Sequence, residues 1–308
     1  MLKRMGIKRE GAYSMPRLLS IIMRTQIRLV KPILNRFSIQ TARAFQDNLG
    51  DMEAKSLSSK VTFEPIAFEN FEACFVSPKG MPQDKDKVIL YLHGGAYVAG
   101  NIAYARGFAG IIAAETNRFV LAAAYRLAPE NPFPAAVEDA FRAYQYLIES
   151  GYSAEGISLV GESAGGGLIF ALCLKLKEAG LPLPRALVGI SPWTDLTFSG
   201  ESYKRNKKKD PTLSEQALRG YAQAYAAGKE KNPLVSPVFG DLGRMPRSLI
   251  IAGSCELLTD DARMLADRLI EAGSPCELII EEGLWHVFVL FKIPEATKAL
   301  RKIAAFLE

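Results

Sequence analysis

Histidine is scarce in this sequence: His93 and His286 are the two in 308 residues. Any chemistry that needs a base near neutral pH therefore has few places to sit. Cysteine is almost as rare. Cys74, Cys173, Cys255 and Cys276 form no C-x-x-C pair and no zinc-type spacing, and Cys173 and Cys276 lie in apolar segments. That excludes a disulfide framework and favours buried free thiols in a reducing, cytoplasmic compartment. No stretch reaches 18 uninterrupted apolar residues, so no membrane span is expected. The apolar run LLSIIM (18–23) is cut by Arg24 and no small-residue cleavage site follows, so no signal peptide is expected. There is no G-x-x-x-x-G-K-[ST], hence no P-loop, and no low-complexity tract or internal repeat.

Charge of one sign is missing from one end. Residues 1–43 carry ten basic side chains against Glu10 alone, while the whole chain is only +5. The remainder is therefore net negative and has no basic stripe interleaved with aromatics, which argues against a nucleic-acid partner. Arg17, Ser20, Arg24, Arg28 and Lys31 recur at helical spacing opposite Leu18, Leu19, Ile22, Met23 and Val30. The pattern predicts an amphipathic helix over 17–31, interrupted or kinked by Pro32, packed on the body by its apolar face with the basic face solvated. A helix lying on a membrane surface is the alternative, and membrane association is not favoured.

From residue 60 the texture changes. VTFEPIAF (61–68) and EACFVSP (72–78) read as antiparallel strands turning near Glu69–Asn70. Buried strands at 87–94, 119–125, 157–163, 186–192, 248–254 and 276–282 then alternate with helices at 105–116, 134–150, 164–180, 260–273 and 294–308. Continuous apolar strands between helices mean an α/β fold, with a mostly parallel central sheet and helices on both faces. The expected organisation is an N-terminal helical cap segment (1–60) and a catalytic domain (61–308). An insertion at 193–246 would contribute to the cap; it holds a helix over 213–228 and a charged run, YKRNKKKD (203–210), read as a solvated face.

Gly161-Glu162-Ser163-Ala164-Gly165 falls where a strand meets a helix. A G-x-S-x-G turn there forces the serine onto a sharp bend, with small neighbours letting strand and helix close up. A serine hydroxyl needs a base. His286, in GLWHVF after the last strand, stands at the same end of the sheet as Ser163; His93 opens HGGAY after the first parallel strand. The base needs an acid, and CELLTDDA offers Glu256, Asp260 and Asp261. Glu256 comes first after its strand and is preferred; Asp260 and Asp261 fit as acids of a helix's first turn. The order serine, acid, histidine is that of α/β-hydrolases.

HGGAY (93–97), YRLAPENPFPAA (125–136), GESAGG (161–166), SPWTDL (191–196) and GLWHVF (283–288) together resemble the bacterial hormone-sensitive-lipase-like family of α/β-hydrolases. The resemblance runs from about residue 60 to the end. It implies Ser163 as nucleophile, His286 as base, and the amides of Gly94, Gly95 and Ala164 as an oxyanion hole, with His93 a structural support for the glycine loop. It implies a small-molecule ester as partner, no metal and no cofactor; a homodimer is compatible with it. Three positions depart from the family pattern: Ala96 replaces a third glycine, Glu162 an aspartate, and Glu256-Leu257-Leu258 an Asp-Pro-Leu. The resemblance further suggests a short acyl pocket, with Ala96, Tyr97, Trp193, Leu258, Val287 and Phe288 as candidate lining. Arg126, Glu130 and Asp195 are expected to brace loops, the first two as an ion pair or singly. An amidase or formamidase with the same triad, or a non-catalytic small-molecule receptor on the same fold, are the rival readings.

Overall fold

The computed structural model describes residues 18–34, 36–82 and 86–308. The main body begins with β1 (Val61–Ala67) and β2 (Glu72–Pro78), paired antiparallel through the turn at 68–71. Then come β3 (Val88–Leu92), α3 (Ile102–Thr116), β4 (Phe119–Ala124), α4 (Ala135–Glu149), β5 (Ile157–Glu162), α5 (Ala164–Glu178) and β6 (Ala186–Ile190). After the insertion, which holds α6 (Ser202–Arg205) and α7 (Glu215–Ala226), follow β7 (Arg247–Gly253), α8 (Thr259–Glu271), β8 (Cys276–Glu281) and α9 (Pro294–Leu307). Ahead of the body lie α1 (Leu18–Leu34) and α2 (Ile39–Ser56).

The eight strands form one sheet in the order β1-β2-β4-β3-β5-β6-β7-β8, with β2 antiparallel to both neighbours and every other pair parallel. Every residue of β3, β5 and β6 is buried, as continuous apolar runs require when both faces are covered. Two cores result. One packs Leu90, Leu159 and Leu187 against α4, α5 and α8; the other packs Ile89, Val160 and Ile251 against α3 and α9. The strand order reverses between β3 and β5. The crevice beyond the C-terminal ends of strands at such a reversal is where ligands bind in open α/β sheets. Leu92 is level with Gly161, and Glu162 with Ile190, so the chain leaves β3, β5 and β6 at one height.

The N-terminal segment departs from its expectation. Arg17 and the basic residues before it lie outside the described residues. The helix runs through Pro32 to Leu34 instead of breaking there. Its orientation is rotated from the expected one: Met23 packs against the body as expected, joined by Ile27, but the polar stripe lies inward beside them. Ser20 is buried and donates to Glu295 of α9 at 2.6 Å. Arg24 donates to the carbonyls of Gly283 and Lys209, Arg28 to those of Lys208 and Lys209, and Lys31 to that of Asp210 at 2.6 Å. The polar stripe thus grips the body, and Leu18, Leu19, Ile22 and Val30 face outward. Loop carbonyls with no strand partner need donors, and these cations supply them. α2, capped by Ser38, went unread as a separate helix. It sits on α3 glycine to glycine: a Cβ at Gly50 would lie 2.3 Å from the Ala103 carbonyl, and one at Gly107 2.3 Å from the Gly50 carbonyl.

The charged run at 203–210 is only partly a solvated face. Its lysines are exposed, but Tyr203, Asn206 and Asp210 are buried. Arg126 and Glu130 brace loops without pairing each other: Arg126 binds Asp139 bidentately, and Glu130 binds Arg43 of α2 at 2.7 Å. Asp195 is a loop brace, accepting from the amides and hydroxyls of Thr197 and Ser199.

Candidate active site

Ser163 occupies the bend between β5 and α5 at φ 54°, ψ −121°, a conformation that costs a non-glycine residue roughly 1–3 kcal/mol. Its amide donates to Ile190 O, while its carbonyl accepts from Gly167 N and Trp193 N, and these bonds hold the bend. The flanking glycines are required by approach distances. A Cβ on Gly165 would stand 2.0 Å from the Leu92 carbonyl, and one on Gly161 2.3 Å from the Gly165 carbonyl.

His286 arrives from the loop after β8 and Glu256 from the loop after β7. His286 Nδ1–H donates to Glu256 Oε2 at 2.8 Å, because an ionised carboxylate can only accept; Nε2 is left to accept from Ser163 Oγ at 2.9 Å. Glu256 Oε1 accepts from the Gly253 amide at 2.9 Å. Burial pushes the Glu256 carboxyl up; the His286 and Ser191 hydrogen bonds pull it back, and nearby Asp210 adds to the rise. Ser163 is 8% exposed and His286 4%. Neither aspartate of the neighbouring helix faces the histidine. Asp260 accepts from Ser202 N and pairs with Arg205 and Arg263; Asp261 accepts from the amides of Thr194 and Asp195.

The glycine loop after β3 differs from expectation at Gly94. Its amide donates to Glu162 Oε1 at 2.6 Å, so it is already spent. The amides of Gly95, Ala96 and Ala164 find no acceptor among the described residues. Ala164 is the first residue of α5, where helix amides lack intrahelical partners and the dipole's positive end lies. Ala96 and Tyr97 both adopt positive φ, 55° and 63°, which turns the loop sharply over the serine. His93 stacks on Tyr125 with ring centroids 4.2 Å apart. Its pKa is lowered to about 4 by burial, so the ring is neutral, and its Nδ1–H donates to Gly94 O at 2.7 Å.

The candidate lining residues separate. Tyr97 stacks on Tyr225 of α7 at 3.8 Å and lies 6.3 Å from Trp193, and all three are fully buried. Leu258 is buried beside α8 in the same core. Phe288 belongs to the core on the other face of the sheet with Trp285, and so does not share a wall with Tyr97. Val287 is partly exposed, its amide donating to Ser191 Oγ at 3.0 Å.

Several residues escaped the sequence reading. Glu162 is fully buried and accepts from Tyr91 and Tyr104 as well as Gly94; burial raises it to about 7. The signal was present: a charge closing a wholly apolar strand must find buried partners. Asn206 donates to the carbonyls of Ser254 and Glu256, and Asp210 accepts from Leu257 N, so the insertion holds the acid loop on both sides. Gln46 of α2 lies against Gly95, its Oε1 3.1 Å from where a Cβ would be. Nothing in the local pattern of 39–56, 203–210 or 91–104 announces these meetings. Among the described residues no cluster of three or more His, Cys, Asp and Glu is placed to hold a metal ion.

A family model of the α/β hydrolase fold matches residues 89–290. The chain is 34% identical to an esterase of the bacterial hormone-sensitive lipase family whose crystal structure superposes with a TM-score of 0.85, covering 95% of this chain and 98% of that one. The chain belongs to the bacterial hormone-sensitive-lipase-like family of α/β-hydrolases. This hydrolase is also similar to the acetyl-hydrolase of Streptomyces hygroscopicus, 41% identical over 224 residues that span 72% of this chain and 75% of the relative. An esterase of Acinetobacter venetianus is 35% identical over 71% of this chain and 74% of its own. The crystal structure of EstE5 soaked with p-nitrophenyl butyrate gives a TM-score of 0.88 at 32% identity, covering 94% and 98%. With this kinship, the hydrolase is a carboxylic ester hydrolase.

Proposed function

We propose that the hydrolase is a serine carboxylesterase acting on short-chain aliphatic or aryl esters through Ser163, His286 and Glu256, with an acyl-enzyme intermediate. One observation carries the reading: an unbroken hydrogen-bond path from Ser163 Oγ through both nitrogens of His286 to Glu256. His286 takes the Ser163 proton as Oγ attacks the ester carbonyl. Glu256 holds the ring and balances the imidazolium. The amides of Gly95, Ala96 and Ala164 receive the tetrahedral oxyanion. Ala96 stands in for Gly94, whose amide Glu162 occupies. The tetrahedral adduct expels the alkoxide, which leaves with the proton from His286, and Ser163 keeps the acyl group. Water then attacks it, giving a proton to His286, and collapse returns that proton to Ser163.

Short acyl groups suit a serine only 8% exposed. An acetyl-hydrolase among the relatives points the same way. The segment before Val61 and the insertion at 193–246 act as the cap; α1 is tied to loop 208–210 by its cations, and α2 reaches Gly95 through Gln46. A p-nitrophenyl ester series from acetate to palmitate tests the reading, alongside anilides of the same acids and stoichiometric labelling of Ser163 by an organophosphate. Turnover highest at two to four carbons with labelled Ser163 is the expected result. Faster anilide than ester turnover would make it an amidase, and an unreactive Ser163 would make it a receptor.

A further inference from the structure

We infer that the outward face of α1 docks on a membrane surface carrying anionic lipid. This goes beyond ester hydrolysis and does not depend on it. Leu18 is 72% exposed, Leu29 74% and Ile33 62%, with Ile22 and Val30 beside them on the same side of the helix. Contiguous apolar surface of this kind marks an interaction site on a folded protein. The helix cannot turn these side chains inward, because Ser20, Arg24, Arg28 and Lys31 on the opposite side are bonded to α9, Gly283 and loop 208–210.

Charge selects the occupant. Lys3, Arg4, Lys8, Arg9 and Arg17 precede the exposed face in sequence, against Glu10 alone. Leu19 edges a groove of about 1020 Å³ whose charged lining is Lys60, Lys292, Lys298 and Arg301 against Glu53 and Glu115. A second copy of this chain would add an equally basic N-terminal sequence and no compensating charge. An anionic lipid surface neutralises the basic charge while the apolar side chains enter the headgroup boundary. Among the described residues no helix is long and apolar enough to cross a membrane, so the helix lies on the surface.

Flotation of the full chain carrying Ser163→Ala, which leaves lipid intact, tests the inference. Phosphatidylcholine vesicles are compared with vesicles also containing phosphatidylglycerol. The anionic vesicles should carry about tenfold more protein, and added salt should release it. The triple variant Ile22→Glu, Leu29→Glu, Ile33→Glu should cut that binding about tenfold or more. With Ser163 intact, the same triple variant should hydrolyse p-nitrophenyl acetate as before, which shows that it folds. Failure of both vesicle types to float the protein overturns the inference, as does flotation indifferent to the triple variant. A dimer in sedimentation that the triple variant dissociates also overturns it, since a second copy would then cover the face.

Discussion

The bend at 161–166 and the helix α1 both carry strong sequence patterns, but the pattern fixes the geometry at the bend and leaves it open in α1. At the bend, the pattern is steric. Backbones approach so closely at Gly161 and Gly165 that no side chain fits, and the geometry follows from the residues. In α1 the pattern is periodic. Periodicity specifies a helix with two unlike faces, but which face turns inward depends on what lies beneath. Here the carbonyls at 208–210 and 283 lie beneath, and they take the cations. A steric pattern has one solution; an amphipathic one has two when either face can be satisfied.

Substitutions at the bend and its partners should therefore be severe, and those in α1 mild. Ser163→Ala or His286→Ala should lower kcat on p-nitrophenyl butyrate by roughly 10⁴–10⁶-fold with the melting transition retained. Next in size, Glu256→Ala should cost roughly 10³–10⁴-fold, while Asp260→Ala stays within a few-fold of wild type. Steady-state kinetics on the pair decides the acid, and an exchange of the two effects would move the role to Asp260.

Glu162 offers a pH test of the same region. Its carboxyl is raised to about 7 by burial, outweighing the three hydrogen bonds it accepts. The folded protein therefore holds that proton more tightly than the unfolded chain does. The stabilisation is complete below the ordinary carboxyl value of 4.5 and is lost as pH rises through about 7. Thermal unfolding from pH 4.5 to 8 should show wild type losing up to about 1.4 kcal/mol per pH unit relative to Glu162→Gln within that window. A parallel pair of curves would contradict the assignment.

In α1 the effects shrink. Lys31→Met should cost about 1 kcal/mol in urea unfolding, from the lost bond to the Asp210 carbonyl. Leu29→Gln, on the outward face, should lie within about 0.5 kcal/mol of wild type. A large loss for Leu29→Gln with none for Lys31→Met would restore the apolar-inward orientation and dissolve the contrast.

Much of the remaining molecule was legible for the same reason the bend was. Buried strands at 88–92, 157–162 and 186–190 are apolar apart from Ser158 and Glu162, and each sits within a residue or two of its expected position. Ser163 and His286 stood out because one lies in a turn that tolerates few residues and the other is one of two histidines. The sequence offers the Gly94 amide as a free donor, because the acceptor that takes it, Glu162, is 68 residues away. Phe288 stands two residues beyond His286, and that short advance along the loop carries its side chain to the other face of the sheet, away from the expected pocket.

The sequence by itself determined the alternating strands and helices, the strained turn at Ser163, and the order of serine, acid and histidine, because each is written in local sterics and hydrophobic period. Only the tertiary structure decided that Glu162 consumes the Gly94 amide, that Asn206 and Asp210 grip the acid loop, and that α1 turns its polar stripe inward and leaves most of its apolar side chains outward. Those outcomes depend on which buried donors and acceptors meet across the fold, and the pattern around a buried polar residue shows that it needs a partner without showing which distant residue supplies one.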